Sequence, residues 1–411
     1  MNPFKENALN VEQTFMSFGE MSPKAYNKME VDPYTKARVI LANGAEYEAV
    51  WFSHQFSRHC ADNDIRRDLS LIRRSEQQQQ KRISALSPIN ESLLETTISY
   101  EQLAVDLTAF FAQRESDRYV KEAYDFALIE DFDHLYRYAD LLEMDSGIEA
   151  ERLVGKYTEI MPGRPTISEH RYPIDDIKRY TNFNKASAVT KLDIAIITAA
   201  EQQTMNYYMN QCASYGNNLG RQLYREIGLI EEQHVSMYGS LLDTTQSWYE
   251  GLLSHEYAEC YLYYSLMLDE TDKYIKKIWE EHFNIELSHL KLAETLLKKY
   301  AQKEWQQVIG VGDFPEPIKL QSNIDYVREV LKSVELTGDK EDYTPVTELK
   351  TGAPFFAYQR VVNDNLKNTA SHCVIAKYIS DNDTDYRFEV KRHPVDALCD
   401  RTKDNTWLGR E

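Results

Sequence analysis

Residues 254–297 read SHEYAECYLYYSLMLDETDKYIKKIWEEHFNIELSHLKLAETLL, and they lie without a gap on two earlier stretches. Those are 199–242, AAEQQTMNYYMNQCASYGNNLGRQLYREIGLIEEQHVSMYGSLL, and 99–142, SYEQLAVDLTAFFAQRESDRYVKEAYDFALIEDFDHLYRYADLL. Three columns of this repeat carry ligand-type side chains: Glu101, Asp131 and His134; Glu201, Glu231 and His234; Glu256, Glu286 and His289. In each copy a Glu is followed 30 residues later by an acid, and a His stands three residues beyond the acid. Apolar and aromatic columns keep the same register, as in Tyr124, Tyr224 and Trp279 or Leu135, Val235 and Leu290.

Each copy reads as an antiparallel helical hairpin. Turn and cap residues stand midway: Ser116-Asp117, Gly216-Asn217-Asn218 and Asp269-Glu270-Thr271-Asp272. About 15 residues up and 15 back at roughly 1.5 Å each return the chain to its starting height. The first Glu then faces the later acid across the hairpin. The acid and the His, three apart, share one helix face. A duplicated structural hairpin with paired polar groups would give the same columns, but burying carboxylates and imidazoles is costly unless something compensates them. A metal ion does so.

The rest of the chain permits long helices. Prolines are absent from 89–161 and from 174–314, and Gly (15) and Pro (12) are scarce among 411 residues. The reading is an all-α bundle of three hairpins, 86–145, 188–243 and 249–303, within a helical domain at 86–303. Before it comes a segment at 1–85, irregular to residue 45 with an Asn43-Gly44 turn, then one long helix over 46–85. After it, 304–411 reads as a mixed extension with a short helix at 322–333. Strands at Val374–Ile379 and Tyr386–Val390 could pair there.

Composition narrows the function. A net charge of -19 repels phosphate backbones and anionic lipid, so neither nucleic acid nor a membrane is the expected partner. The start MNPFKENALNVEQTF lacks a basic, then apolar, leader pattern, and a cytoplasmic location is the expectation. Five widely spaced cysteines form no CxxC pair, which leaves zinc ribbons and thioredoxin-type chemistry without support. Phosphate loops, G-x-S-x-G and H-E-x-x-H are likewise missing.

The ligand columns resemble those of the ferritin-like diiron-carboxylate superfamily, in which one helix offers a Glu and the next Glu-x-x-His, twice over. Rubrerythrin-like proteins, ribonucleotide reductase small subunits and bacterial multicomponent monooxygenases share that pattern. The resemblance spans roughly 86–303. It implies a ferritin-like fold, two iron ions per site with manganese as the other option, and histidines ligating through one ring nitrogen. It also implies an oxidoreductase that uses dioxygen or peroxide and draws electrons from a separate donor protein. Metal storage or sensing, and a structural scaffold that has kept its ligands, are the rival expectations.

The first hairpin departs from the family by carrying Asp131 where Glu is usual. A third hairpin is also one more than a single site needs. The preferred site joins the first two hairpins through Glu101, Asp131, His134, Glu201, Glu231 and His234. The third, with Glu256, Glu286 and His289, could replace the second or meet its mate across a homodimer twofold. Glu259 and His282 lie near it at helical spacing. Tyr207, Tyr208, Tyr263 and Tyr264 could donate hydrogen bonds near the metals, although aromatics at this spacing are more often core. His54 and His59 lack carboxylates at ligand spacing.

Overall fold

The structure, a computed structural model, describes residues 1–164, 169–388 and 392–399. It is all-α. Among the described residues the sheet content is one antiparallel ladder, Thr337–Gly338 against Thr344–Pro345, with Thr337 opposite Pro345. No helix among them is long and apolar enough to cross a membrane.

Eight long helices carry the architecture. They are α1 (Pro33–Arg58), α2 (Asn63–Ser84), α3 (Leu93–Arg114), α4 (Arg118–Ser146), α5 (Ala188–Gln211), α6 (Asn218–Leu241), α7 (Trp248–Asp269) and α8 (Lys273–Leu296). Three shorter ones follow: α9 (Ile324–Ser333), α10 (Pro354–Asn363) and α11 (Ala370–Asn382). The turn chemistry places the starts. Asp117 and Asp272 cap α4 and α8, and Ser92 with Glu95 and Ser247 with Glu250 close capping boxes on α3 and α7. Gly147, at φ +66°, ends α4 in the left-handed conformation.

The N-terminal reading needs correction. The segment to residue 45 is not irregular throughout, because α1 begins at Pro33 behind the cap Asp32. Asn43-Gly44 is mid-helix rather than a turn. A Cβ on Gly44 would lie 3.1 Å from the Ala199 carbonyl oxygen, so this glycine serves close backbone approach between α1 and α5. Residues 46–85 form parts of two helices, broken at 59–62, where the Asp62 carboxylate accepts from the amides of Asp64 and Ile65. Val374–Ile379 is helix within α11, not strand; Tyr386–Phe388 is turn, and 389–390 lie outside the described residues.

The chain divides into two compact units. The first comprises 1–90, 180–203 and 242–320; the second comprises 91–179, 204–241 and 321–411. In the first, α1 packs on α2 and on α7, and α8 packs on α7 and α2. In the second, α3 packs on α4, α4 on α6, and α11 on both α4 and α6. Each unit therefore owns an apolar interior, with Leu69, Leu253, Ile275 and Trp279 in the first and Leu107, Tyr124, Leu135 and Ile227 in the second.

Candidate metal centres

In the second unit the ligand columns meet inside the bundle. Glu101 on α3, Asp131 and His134 on α4, and Glu231 and His234 on α6 are all buried. Glu231 stands between the two imidazoles: its Oε1 is 3.0 Å from His134 Nδ1 and its Oε2 is 3.2 Å from His234 Nδ1. Asp131 Oδ1 is 3.1 Å from the same His234 nitrogen. Two ligand groups result, Asp131–Glu231–His234 and Glu101–His134–Glu231, each with donor atoms within 4.8 Å of one another. Glu231 belongs to both. Glu201 is buried on α5, in the stretch counted with the first unit.

Outer groups hold these side chains in place. His234 Nε2 is 2.8 Å from Glu130 Oε2, which leaves Nδ1 to face the centre. The Tyr208 hydroxyl donates to Glu101 Oε1. Arg137 donates to both oxygens of Glu169, whose Oε2 is 4.0 Å from His134 Nε2. Burial would raise the Glu231 carboxyl, but hydrogen bonds from His134 and His234 outweigh it and bring it to about 2. Burial alone would lower His234; the carboxylates of Asp131, Glu130 and Glu231 override this and hold it well above the ordinary histidine range.

The first unit contains a second cluster, richer in carboxylates. Glu256, Glu286 and His289 on α7 and α8 meet Glu76 from α2, with donor atoms within 4.8 Å. His289 Nδ1 lies 2.7 Å from Glu76 Oε1, 3.1 Å from Glu286 Oε2 and 3.8 Å from Glu256 Oε2. A further group joins Glu46 on α1, Glu76 and Glu259. Glu76 belongs to both groups. The third hairpin thus finds its partner carboxylates on α1 and α2 of the same chain.

Glu46, Glu76 and Gln79 repeat the spacing of 30 and then three, placed 55 residues before Glu101, Asp131 and His134. Among the described residues α1 and α2 form a further hairpin of the same kind. This copy departs from the sequence pattern of the others, because Gln79 stands where they have His and no Gly or Pro marks the break between α1 and α2. The tyrosine contact is repeated as well: the Tyr263 hydroxyl donates to Glu46 Oε1 in this unit, as Tyr208 does to Glu101 in the other. Tyr208 and Tyr263 stand seven residues past Glu201 and Glu256. Tyr207 stacks on Tyr100 and Tyr264 packs against Phe283, so those two are core.

The rest of the cluster is also buried. His282 places Nδ1 3.3 Å from the Tyr263 hydroxyl, and Gln79 Nε2 donates to Glu46 Oε1 at 2.9 Å and Glu286 Oε1 at 2.5 Å. Burial, reinforced by neighbouring carboxylates, holds Glu46, Glu256 and Glu259 well above the usual carboxylate range. His54 and His59 take no part; His59 is exposed and stacks on Trp248. A cavity of about 270 Å³ also lies in this unit, lined by Phe52, Leu192, Trp248 and Ile309 with Glu48 and His255. His255 Nε2 is 3.5 Å from Glu259 Oε2, so the cavity wall touches the cluster.

Buried carboxylates and imidazoles in such groups could hold metal ions. Donor chemistry and packing both fit. The sets combine oxygen with imidazole nitrogen, and Glu259 accepts no hydrogen bond at either oxygen although it is 2% exposed. Comparison of the chain with protein-family models, curated proteins and solved structures gave no match.

Proposed function

We propose that the chain is a ferritin-like dimetal protein, binding iron or manganese and acting as a dioxygen- or peroxide-dependent oxidoreductase. The observation that carries this reading is Glu231, one buried carboxylate whose two oxygens each face a different imidazole. A single ion needs no such shared ligand, whereas two ions a few ångströms apart do. When bound, the metal pair supplies electrons in pairs to dioxygen or peroxide.

In the second unit His134 and His234, through Nδ1, together with Glu101, Asp131 and Glu231 would hold the metal ions. The repeat gives Glu201 the role that Glu101 has in its own hairpin. Glu130 would keep the proton on His234 Nε2, so that Nδ1 is the nitrogen that would give up its proton to an ion. Tyr208 orients Glu101 by its hydrogen bond. The apolar interior excludes water, and electrons would come from a separate donor protein. The cavity beside the first unit's cluster, about 270 Å³, offers an organic molecule a place near the carboxylates, and this favours catalysis over storage.

Anaerobic loading with ferrous iron, followed by metal analysis and measurement of oxygen uptake, tests the proposal. Iron should be retained in the second unit and lost from it on Glu231→Gln, with helical circular dichroism unchanged. Protein that retains no iron after loading would overturn it. Iron retained with only a few turnovers of oxygen and no oxidised organic product would leave storage as the function.

A further inference from the structure

Each unit contains two overlapping ligand groups joined by one shared glutamate, yet the groups differ in donor type. In the second unit both include an imidazole, His134 in one and His234 in the other. In the first unit only Glu76–Glu256–Glu286–His289 does so; Glu46–Glu76–Glu259 contains oxygen alone. We propose that the first unit's two positions take unlike ions, a transition metal at His289 and a hard, oxygen-seeking divalent cation at Glu46, Glu76 and Glu259. The inference rests on the reading of this cluster as a metal centre.

Gln79 is the reason for the difference. It occupies the column of His134, His234 and His289, but an amide offers no nitrogen lone pair to an ion. Its Nε2 instead donates to Glu46 and Glu286, one carboxylate from each group, and spaces them. His282 Nδ1 lies 3.3 Å from the Tyr263 hydroxyl and 3.8 Å from Glu46 Oε1, outside the group formed by Glu46, Glu76 and Glu259. His282 therefore supports the tyrosine that holds Glu46.

Glu259 makes good the missing donor. Its counterparts in the other hairpins are Ala49, Ala104 and Thr204, so this carboxylate is peculiar to the all-oxygen position. It is buried, accepts no hydrogen bond at either oxygen, and has a donor atom within 4.8 Å of Glu46 and Glu76. Loss of an imidazole and gain of a carboxylate at one position changes its preference toward magnesium- or manganese-like ions. Nitrogen-bearing positions follow the steeper preference for later transition metals.

The test uses the full chain stripped by chelator, then given Co²⁺ with excess Mn²⁺, with each ion located by anomalous scattering at its own edge. Manganese is expected at Glu46, Glu76 and Glu259, and cobalt at Glu256, Glu286 and His289. Glu259→Gln should weaken manganese retention at least tenfold while the cobalt content and helical circular dichroism stay unchanged. Gln79→His should convert the all-oxygen position to cobalt binding, which covers the case in which Glu259→Gln fails to fold. Cobalt at both positions of the unaltered chain, no ion in the first unit, or manganese binding indifferent to both variants would overturn the proposal. Manganese in the first unit with a second unit that binds neither iron nor cobalt would sink the proposed function and leave this inference standing.

Discussion

Two tyrosines do the same job from equivalent places. Tyr208 donates to Glu101 and Tyr263 to Glu46, each reaching from the later hairpin of its unit to the first glutamate of the earlier one. A carboxylate oxygen held by a phenol has its remaining oxygen presented to an ion in a fixed direction, and an unheld glutamate must be ordered on binding. Outer hydrogen bonds of this type commonly govern metal affinity by about 10- to 100-fold. Tyr208→Phe is expected to weaken metal retention in the second unit by about that factor, with little change in thermal stability, because the ring and its packing remain. Competition with a chelator of known affinity measures it. An unchanged affinity would show that Glu101 is held by its helix alone.

At the scale of elements, the tail has a structural purpose that its sequence conceals. Arg387 is fully buried; it donates to Glu151 at 2.5 Å and to Asp140 and Glu143 on α4 at 2.8 Å each. Asp385, two residues earlier, accepts from the Tyr136 hydroxyl at 3.0 Å. These contacts fasten residues 385–387 onto the helix that carries Asp131 and His134. Arg387→Ala removes one partner of a buried network and leaves three carboxylates without it, which should cost about 3–5 kcal/mol. Denaturant unfolding of the metal-free protein should reveal it, and a loss under about 1 kcal/mol would mean water replaces the guanidinium.

The helical hairpins were legible because periodicity, caps and ligand columns agree over long stretches. Asp117 and Asp272 cap the helices their sequence positions suggest. What stayed hidden was hidden for physical reasons. The break between α1 and α2 is made by the Asp62 carboxylate, a weaker sequence signal than glycine or proline. Gln79 masks a ligand column, since an amide stands there in place of an imidazole. In helix α11 Val374, Ile375 and Tyr378 favour sheets by propensity, while burial of Val374 and Tyr378 within the second unit decides for helix.

For the whole molecule, the buried carboxylates set how stability responds to pH. In the first unit burial, helped by like charges, raises Glu46, Glu256 and Glu259 well above the ordinary carboxylate range, and burial with Glu76 nearby raises Glu286. A group raised in the folded chain contributes stability that is complete below its unfolded value, about 4.3 for glutamate, and is lost as pH climbs through the raised value. His289 has the same sign: the carboxylates of Glu76 and Glu286 overcome burial and raise it. Glu76, which His289 lowers against its burial, opposes them, and so do His255 and His282, which burial lowers, to about 4 for His255. Above about 6.5, where those histidines are neutral folded or unfolded, the metal-free protein should therefore lose thermal stability as pH rises. Glu259→Gln, which resembles the protonated carboxyl, should flatten part of that decline and raise the melting temperature most at the alkaline end. Bound cations should reverse the trend, because they displace the protons and favour the ionised form. Calorimetry across pH, with and without loaded metal, separates the cases; a metal-free protein whose stability rises through the same range would show that the cluster is solvated and not buried.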